Sequence, residues 1–184
     1  GNDTYVVDSS GDRIYESSYS GGTDTVQAYI DFSIYSSAYV ENMYLYGYAD
    51  YGQGNNYNNT IYGNSGRYNS LYGEGGNDTL YGSNYNDYLN GGSGNDFLVG
   101  GAGDDLFVFA DGSAQDRVAD FSAGAGTQDV LDISAFDFAD FAAVTAQAND
   151  QSGSADVVIQ LDANDSVTLL GVRIADLHED DFLL

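Results

Sequence analysis

Four aspartates, Asp78, Asp87, Asp96 and Asp105, stand nine residues apart in a stretch rich in glycine and asparagine. Paired carboxylates can act as acid and nucleophile or base on a glycosidic bond, but that chemistry needs two groups facing one cleft. A periodic array of acceptor-only oxygens beside open glycine backbone suits a hard cation with oxygen ligands instead. The chain has no Cys, and His178 is its one imidazole, so zinc and softer metals are poorly served. His178 is flanked by Glu179 and has no assignable nucleophile around it, so no catalytic centre is assigned within this stretch of chain.

The charge balance agrees with a cation as partner. There are 29 Asp and Glu against 4 Lys and Arg, for a formal net charge of −25, and the positive residues Arg13, Arg67, Arg117 and Arg173 are scattered. A surface with so few cations cannot bind nucleic acid or anionic lipid by releasing counterions. Among the acids, 25 are Asp and 4 are Glu, many of the former beside Gly or Asn. Helical acidic faces favour Glu, whereas Asp beside Gly belongs to tight turns and oxygen-ligand loops. No apolar run approaches the ~18 residues needed to span a membrane.

The elements that must position these carboxylates follow from the repeat. Segments 73–81, 82–90, 91–99 and 100–108 each open on glycine, hold Asp sixth and place Leu80, Leu89, Leu98 or Phe107 eighth. Two weaker units, 54–62 and 63–72, carry Asn59 and Asn69 in the Asp place. Six Gly, Asn and Asp residues form a turn whose backbone only such residues adopt cheaply. The last three form a short strand, with the eighth side chain facing inward and the seventh and ninth outward. Two units back to back enclose the apolar residue, and successive rungs stack at about 4.8 Å. This aligns Asp78 with Asp96 at one edge and Asp87 with Asp105 at the other. Neighbouring bare carboxylates repel by about 1 kcal/mol in water-like surroundings, and more at lower dielectric. Calcium reverses that sign and fits better than magnesium, which demands a small strict octahedron.

These units resemble the RTX repeat, the calcium-binding nonapeptide of haemolysins and other proteins exported by bacterial type I secretion. Flanking stretches at 1–8, 22–26 and 40–47 are similar to a longer repeat that often precedes such nonapeptides. Stretches 116–121, 129–134 and 180–184 resemble the C-terminal cap and secretion signal. The resemblance implies an all-β fold, a parallel β-roll (β-solenoid) with a C-terminal β cap and Ca2+ (several ions) at both edges. Implied ligands are the carboxylates of Asp78, Asp87, Asp96 and Asp105. Implied with them are the carbonyls of Gly73, Gly82, Gly91 and Gly100, and those of Gly75, Asn84, Ser93 and Ala102. Glu74, Ser83 and Tyr85 depart from the glycine pattern, and the Asn substitutions predict weaker or absent calcium around 54–72. Asp3 and Asp24 lie in partial motifs that leave a cation and an ordinary turn equally open.

Composition divides the chain into a Tyr-rich degenerate β region (1–50), the nonapeptide β-roll (51–109) and a C-terminal β cap with the secretion signal (110–184). Strands are expected at 4–7, 13–16, 24–34, 40–46, 106–109, 117–121, 130–133, 156–161 and 166–170. One short helix is expected within 134–147, with Phe138, Phe141 and Ala142 on one side. All 17 tyrosines lie between Tyr5 and Tyr88. Tyr62 and Tyr81 should stack outward on one sheet and Tyr72 on the other, as packing, as a platform for polysaccharide, or as a self-association face.

The start lacks a cleavable signal peptide and falls mid-repeat, so a piece of a longer protein is expected. The resulting function is a calcium-binding module, secreted to the exterior or cell surface, that stays unfolded in the low-calcium cytosol and folds on external calcium. The type I secretion apparatus is its partner in export. Acidification toward the carboxylate pKa values is expected to unfold it. Two other classes remain open: a self-assembling filament or surface-layer protein, and the non-catalytic carbohydrate-binding arm of a secreted polysaccharide-active enzyme.

Overall fold

The computed structural model describes residues 1–16, 22–36, 39–126 and 129–184. In chain order its strands begin with β1 (Thr4–Val7), β2 (Thr25–Ala28), β3 (Phe32–Ser33), β4 (Asn42–Leu45), β5 (Tyr51–Gln53) and β6 (Thr60–Tyr62). The nonapeptides supply β7 (Ser70–Tyr72), β8 (Thr79–Ser83), β9 (Tyr88–Asn90), β10 (Phe97–Gly101) and β11 (Leu106–Val108). Then follow β12 (Gln115–Val118), β13 (Val130–Asp132), helix α1 (Phe141–Ala146), β14 (Ala148–Asp150), β15 (Val157–Gln160), β16 (Ser166–Leu169) and β17 (Phe182–Leu183).

Successive strands alternate between two sheets. One is ordered β1-β2-β4-β6-β8-β10-β12-β16-β15-β14 and the other β17-β13-β11-β9-β7-β5-β3. From β1 to β13 all pairing is parallel, so the chain is a β-roll with a rung for each pair of strands. Both sheets run without interruption from the Tyr-rich region into the nonapeptides. Antiparallel pairing enters only with β14, β15 and β16, which extend the first sheet beyond β12, while β17 extends the second beyond β13. Added strands of this kind cover edges that would otherwise present unpaired amides.

The strands are short, and their core comes from stacking. Met43, Ile61, Leu80, Leu98 and Val118 lie opposite one another rung by rung in one sheet. Leu71, Leu89, Phe107 and Leu131 do so in the other. All nine are fully buried, and burying such a side chain contributes about 1.5–3 kcal/mol. Gly52 occupies an inward place where a Cβ would stand 3.3 Å from Leu45 and Met43, so its larger neighbours already fill the space.

Several expected boundaries shift. Residues 13–16 form no strand. The expected strand 24–34 divides into β2 and β3, because at about 3.3 Å per residue an unbroken run would overshoot a four-residue rung, and the chain turns to the opposite sheet. The helix is confined to α1, N-capped by Asp140, which accepts from the Ala143 N–H at 2.9 Å. It buries Val144 rather than Ala142. Among the described residues, no helix is long and apolar enough to cross a membrane.

Candidate metal centre

The aspartate before each inward-facing strand residue stands at the edge of the roll, where the turn meets the strand. Its backbone N–H donates to the carboxylate one rung further on. At one edge Asp78 N–H donates to Asp96 Oδ1 at 2.7 Å, and at the other Asp87 N–H donates to Asp105 Oδ1 at 2.8 Å. The 18-residue spacing therefore brings both pairs together as expected from rung stacking. The ladder consumes one oxygen of each carboxylate.

The second oxygen lies against the first glycine of its own unit. A methyl group on Gly73 would overlap both Asp78 Oδ2 and the carbonyl of Gly91, and one on Gly82 would overlap Asp87 Oδ2 and the carbonyl of Gly100. Methyl groups on Gly91 and Gly100 would likewise strike Asp96 Oδ2 and Asp105 Oδ2. The first-place glycines thus clear a space shared by a carboxylate and a main-chain carbonyl. In the third places, Gly75 and Ser93 pair across rungs, and the Ser93 carbonyl accepts from the Gly76 N–H at 3.0 Å. Asn84 and Ala102 stand in the corresponding turns of the opposite edge, both exposed, with Ala102 N–H donating to the Ser83 carbonyl at 3.0 Å.

Asp78 Oδ2 and Asp96 Oδ2 are buried without any hydrogen-bond partner. An unpaired buried carboxylate oxygen is costly, and the burial shows in the acidities. Burial pushes Asp78 up to about 8, against the opposing hydrogen bond from Asn59 and with the Asp96 charge adding to it. Burial likewise raises Asp96 to about 6 and Asp105 to about 7. Among the described residues no arginine pairs with any of the four aspartates; Arg67 pairs with Asp50 at 3.1 Å, and Arg117 lies over the Phe97 ring. Acceptor-only oxygens converging without cationic partners are a donor set that fits calcium.

Asp87 differs. Ser83 donates to its Oδ2 from both the backbone N–H and, at 2.9 Å, the hydroxyl, while Asn69 Nδ2 donates to Oδ1 at 2.8 Å. Burial still raises its pKa, but these bonds oppose the shift. The turn is built differently as well. Glu74, Gly92 and Gly101 take left-handed backbone in the second place, and Gly76, Gly94 and Gly103 in the fourth, whereas Ser83 and Tyr85 do not.

Towards the N-terminus, amides stand where the carboxylates would. Asn59 Nδ2 and Asn55 Nδ2 donate to the Val40 carbonyl at 2.9 and 3.0 Å. Asn64 Nδ2 donates to the carbonyls of Gly47 and Ala49, both at 3.0 Å, and Asn69 Nδ2 to that of Arg67 at 3.0 Å. Asp24 is buried and accepts from the Asp3 N–H at 2.7 Å; with Asp3 and Glu16 it forms a group of neighbouring carboxylates.

Sequence reasoning missed two residues that prolong the columns. Asp116 Oδ1 accepts from Asp96 N–H at 2.9 Å, and Asp129 Oδ1 from Asp105 N–H at 3.0 Å. Their separations of 20 and 24 residues break the nonapeptide period. The signal that could have found them is an acid two places before a buried apolar residue, as in Asp116 with Val118 and Asp129 with Leu131. His178 accepts from Asp180 N–H at 3.3 Å and caps the last 3-10 turn, Glu179–Asp181.

Outward tyrosines form a second periodic feature. Tyr44, Tyr62 and Tyr81 stack on one sheet, with ring centroids 4.4 and 4.8 Å apart and planes within 7°. On the other sheet Tyr51, Tyr72 and Tyr88 form a tilted series at 5.6 and 5.2 Å.

Residues 45–67 and 72–107 match the model of the RTX calcium-binding nonapeptide repeat, in four copies. Two solved structures similar to the chain are the R3 and R2 subunits of AlgE6, a mannuronan C5-epimerase from Azotobacter vinelandii. The R3 subunit is 27% identical with a TM-score of 0.55, covering 70% of this chain and 78% of its own. The R2 subunit is 27% identical with a TM-score of 0.52, covering 70% and 89%. No curated protein matches the chain at a significant level. The repeat match, the stacked turns and the parallel coils agree: this chain carries RTX calcium-binding nonapeptide repeats, built into a β-roll like that of the AlgE6 modules.

Proposed function

We propose that the chain is the calcium-folded module of a secreted protein, exported by type I secretion and folded outside the cell. The observation that carries this reading is the pair of orphaned oxygens, Asp78 Oδ2 and Asp96 Oδ2, held beside first-place glycine carbonyls. Asp78, Asp96 and Asp105 with Gly73, Gly91 and Gly100 would hold the ions, with Gly75, Ser93 and Ala102 contributing carbonyls. Asp87 with Gly82 and Asn84 would hold its ion less tightly, because Ser83 and Asn69 already saturate the carboxylate. Calcium supplies a divalent counter-charge that bridges oxygens from successive rungs. Without it the carboxylates repel and remain unpaired, which favours an open chain in a low-calcium cytosol and a folded one in millimolar external calcium. In this division of labour, segment 51–109 holds the ions, 1–50 extends the roll and 110–184 closes its end and carries the export signal.

The test is a calcium titration of chelator-stripped protein followed by circular dichroism, with magnesium at equal ionic strength as control. A cooperative gain of β signal with calcium alone is expected. A spectrum fully folded in chelator and unchanged by calcium would overturn the reading.

A second role is favoured by the stacked Tyr44, Tyr62 and Tyr81 rings together with the likeness to epimerase subunits. Such a face can serve as a platform for sugar rings, making the module a non-catalytic carbohydrate-binding arm. With a net charge of −25, an anionic polysaccharide would need bound calcium to bridge the charges. Loss of polysaccharide retention on Tyr62→Ala, with calcium binding unchanged, is the expected result.

A further inference from the structure

We infer that a further divalent-cation site, of calcium type, joins the β-roll to its C-terminal cap, formed by Asp96, Asp116 and Ser113. The inference rests on the calcium reading above but concerns residues beyond the nonapeptides, since Ser113 and Asp116 lie past the matched repeats that end at 107.

Asp116 continues the column in the geometry of its predecessors. Its Oδ1 accepts from Asp96 N–H at 2.9 Å, as Asp96 Oδ1 accepts from Asp78 N–H at 2.7 Å. Two polar atoms at this rung have no partner: Asp96 Oδ2 and Ser113 Oγ, on residues only 2% and 3% exposed. The Ser113 side chain lies beside the Asp116 carboxylate, which is itself 2% exposed. Burial pushes Asp116 up to about 8, with the Asp96 charge adding to the shift and the Asp96 N–H and Ser113 opposing it. No positive side chain answers this charge: Arg117, next in sequence, carries its guanidinium 6.0 Å from the Phe97 ring centre.

The turn that brings Ser113 here is fastened by the cap. Asp165, 1% exposed, accepts from Gly112 N–H and Ala114 N–H, each at 2.8 Å, so both of its oxygens are engaged. Asp165 thus holds the turn while Asp96, Asp116 and Ser113 present oxygen atoms from both sides of the seam between β10 and β12. Since β12 also pairs with β16, a cation here ties the docking of the cap to the filling of the column.

The test counts calcium ions on the full chain by equilibrium dialysis, for wild type, Asp116→Asn and Ser113→Ala, with hydrogen exchange of β12 and β16 read in parallel. One ion fewer is expected in Asp116→Asn. A several-fold weakening of one ion is expected in Ser113→Ala, with the others unchanged and faster exchange confined to β12 and β16. If Asp116→Asn does not fold, Ser113→Ala alone decides, because a hydroxyl-to-methyl change leaves the backbone intact. Unchanged ion number and affinity in Ser113→Ala, with Asp116→Asn either unchanged or unfolded, would overturn the junction site while leaving the repeat sites standing. A wild type that binds no calcium would overturn both.

Discussion

Asp78 shows most plainly how one side chain serves two states of the protein. Its Oδ1 completes a backbone ladder by accepting from Asn59 N–H at 2.7 Å, while its Oδ2 is buried with no partner. Asp78→Asn removes the buried charge yet keeps the ladder acceptor. We expect it to raise the urea midpoint of the chelated protein and to weaken calcium binding at least tenfold, as read by paired denaturation and calcium titrations. A lowered midpoint in chelator would show that the charge is not a burden to the metal-free fold. The same burial fixes the direction of a pH effect. In the metal-free fold Asp78, Asp96, Asp105 and Asp116 titrate at about 8, 6, 7 and 8, against about 3.9 in an unfolded chain. The fold therefore holds extra protons over that interval, and its stability falls as pH rises from about 4 to 8. The contribution is fully present below the unfolded value. Acid thus stabilises the chelated protein while competing with calcium for the same oxygens, so the expectation that acid unfolds the protein applies to the loaded form alone. A urea midpoint in chelator no higher at pH 5 than at pH 8 would contradict this.

At the level of the turn and strand, the nonapeptide carries its structure openly. A glycine opening, an acid in sixth place and an apolar residue in eighth specify the turn, the edge and the core, and Leu80, Leu89, Leu98 and Phe107 are all fully buried. Leu98→Ala should cost about 2–5 kcal/mol, in chelator as well as in calcium, because the rung is packed beneath the metal edge rather than by it. Equal denaturation midpoints for mutant and wild type would refute that. Legibility ends where spacing stops reporting position. Asp116 and Asp129 stand on the same columns, but longer turns set them 20 and 24 residues from their partners. The role of Ser83 is equally hidden, since it depends on a turn without left-handed residues in the second and fourth places. Strand β14, Ala148–Asp150, has no strand pattern of its own and exists through antiparallel pairing with β15. The expected strand at 24–34 failed for the converse reason: its composition suits a strand throughout, but the roll needs a corner.

Across the whole molecule the two columns change character along the axis. From Asp78 onward the edge is acidic and its buried oxygens lack partners; from Asn69 towards the N-terminus amide and guanidinium hydrogens answer the carbonyls. Asn55 and Asn59 bind the Val40 carbonyl, Asn64 those of Gly47 and Ala49, and Arg67 NH1 reaches the Tyr48 carbonyl at 2.9 Å and Asp50 Oδ2 at 3.1 Å. Neutral amide bonds of this kind contribute about 0.5–1.5 kcal/mol each whether or not metal is present. The stacked rings of Tyr44, Tyr62 and Tyr81 span the same rungs and add about 0.5–1.5 kcal/mol per pair. In a stacked coil each rung leans on its neighbours alone, so stability is close to a sum over rungs and unfolding need not be all-or-none. Calcium removal should therefore release the coil from β8 through β13 first, and leave β4 to β7 protected longer. Hydrogen exchange in chelator would display this as two classes of amide, divided near Asn69 and Asp78. Uniform exchange along the roll would mean that the amide rungs cannot hold once the carboxylate rungs open, and that calcium governs the coil as one cooperative unit.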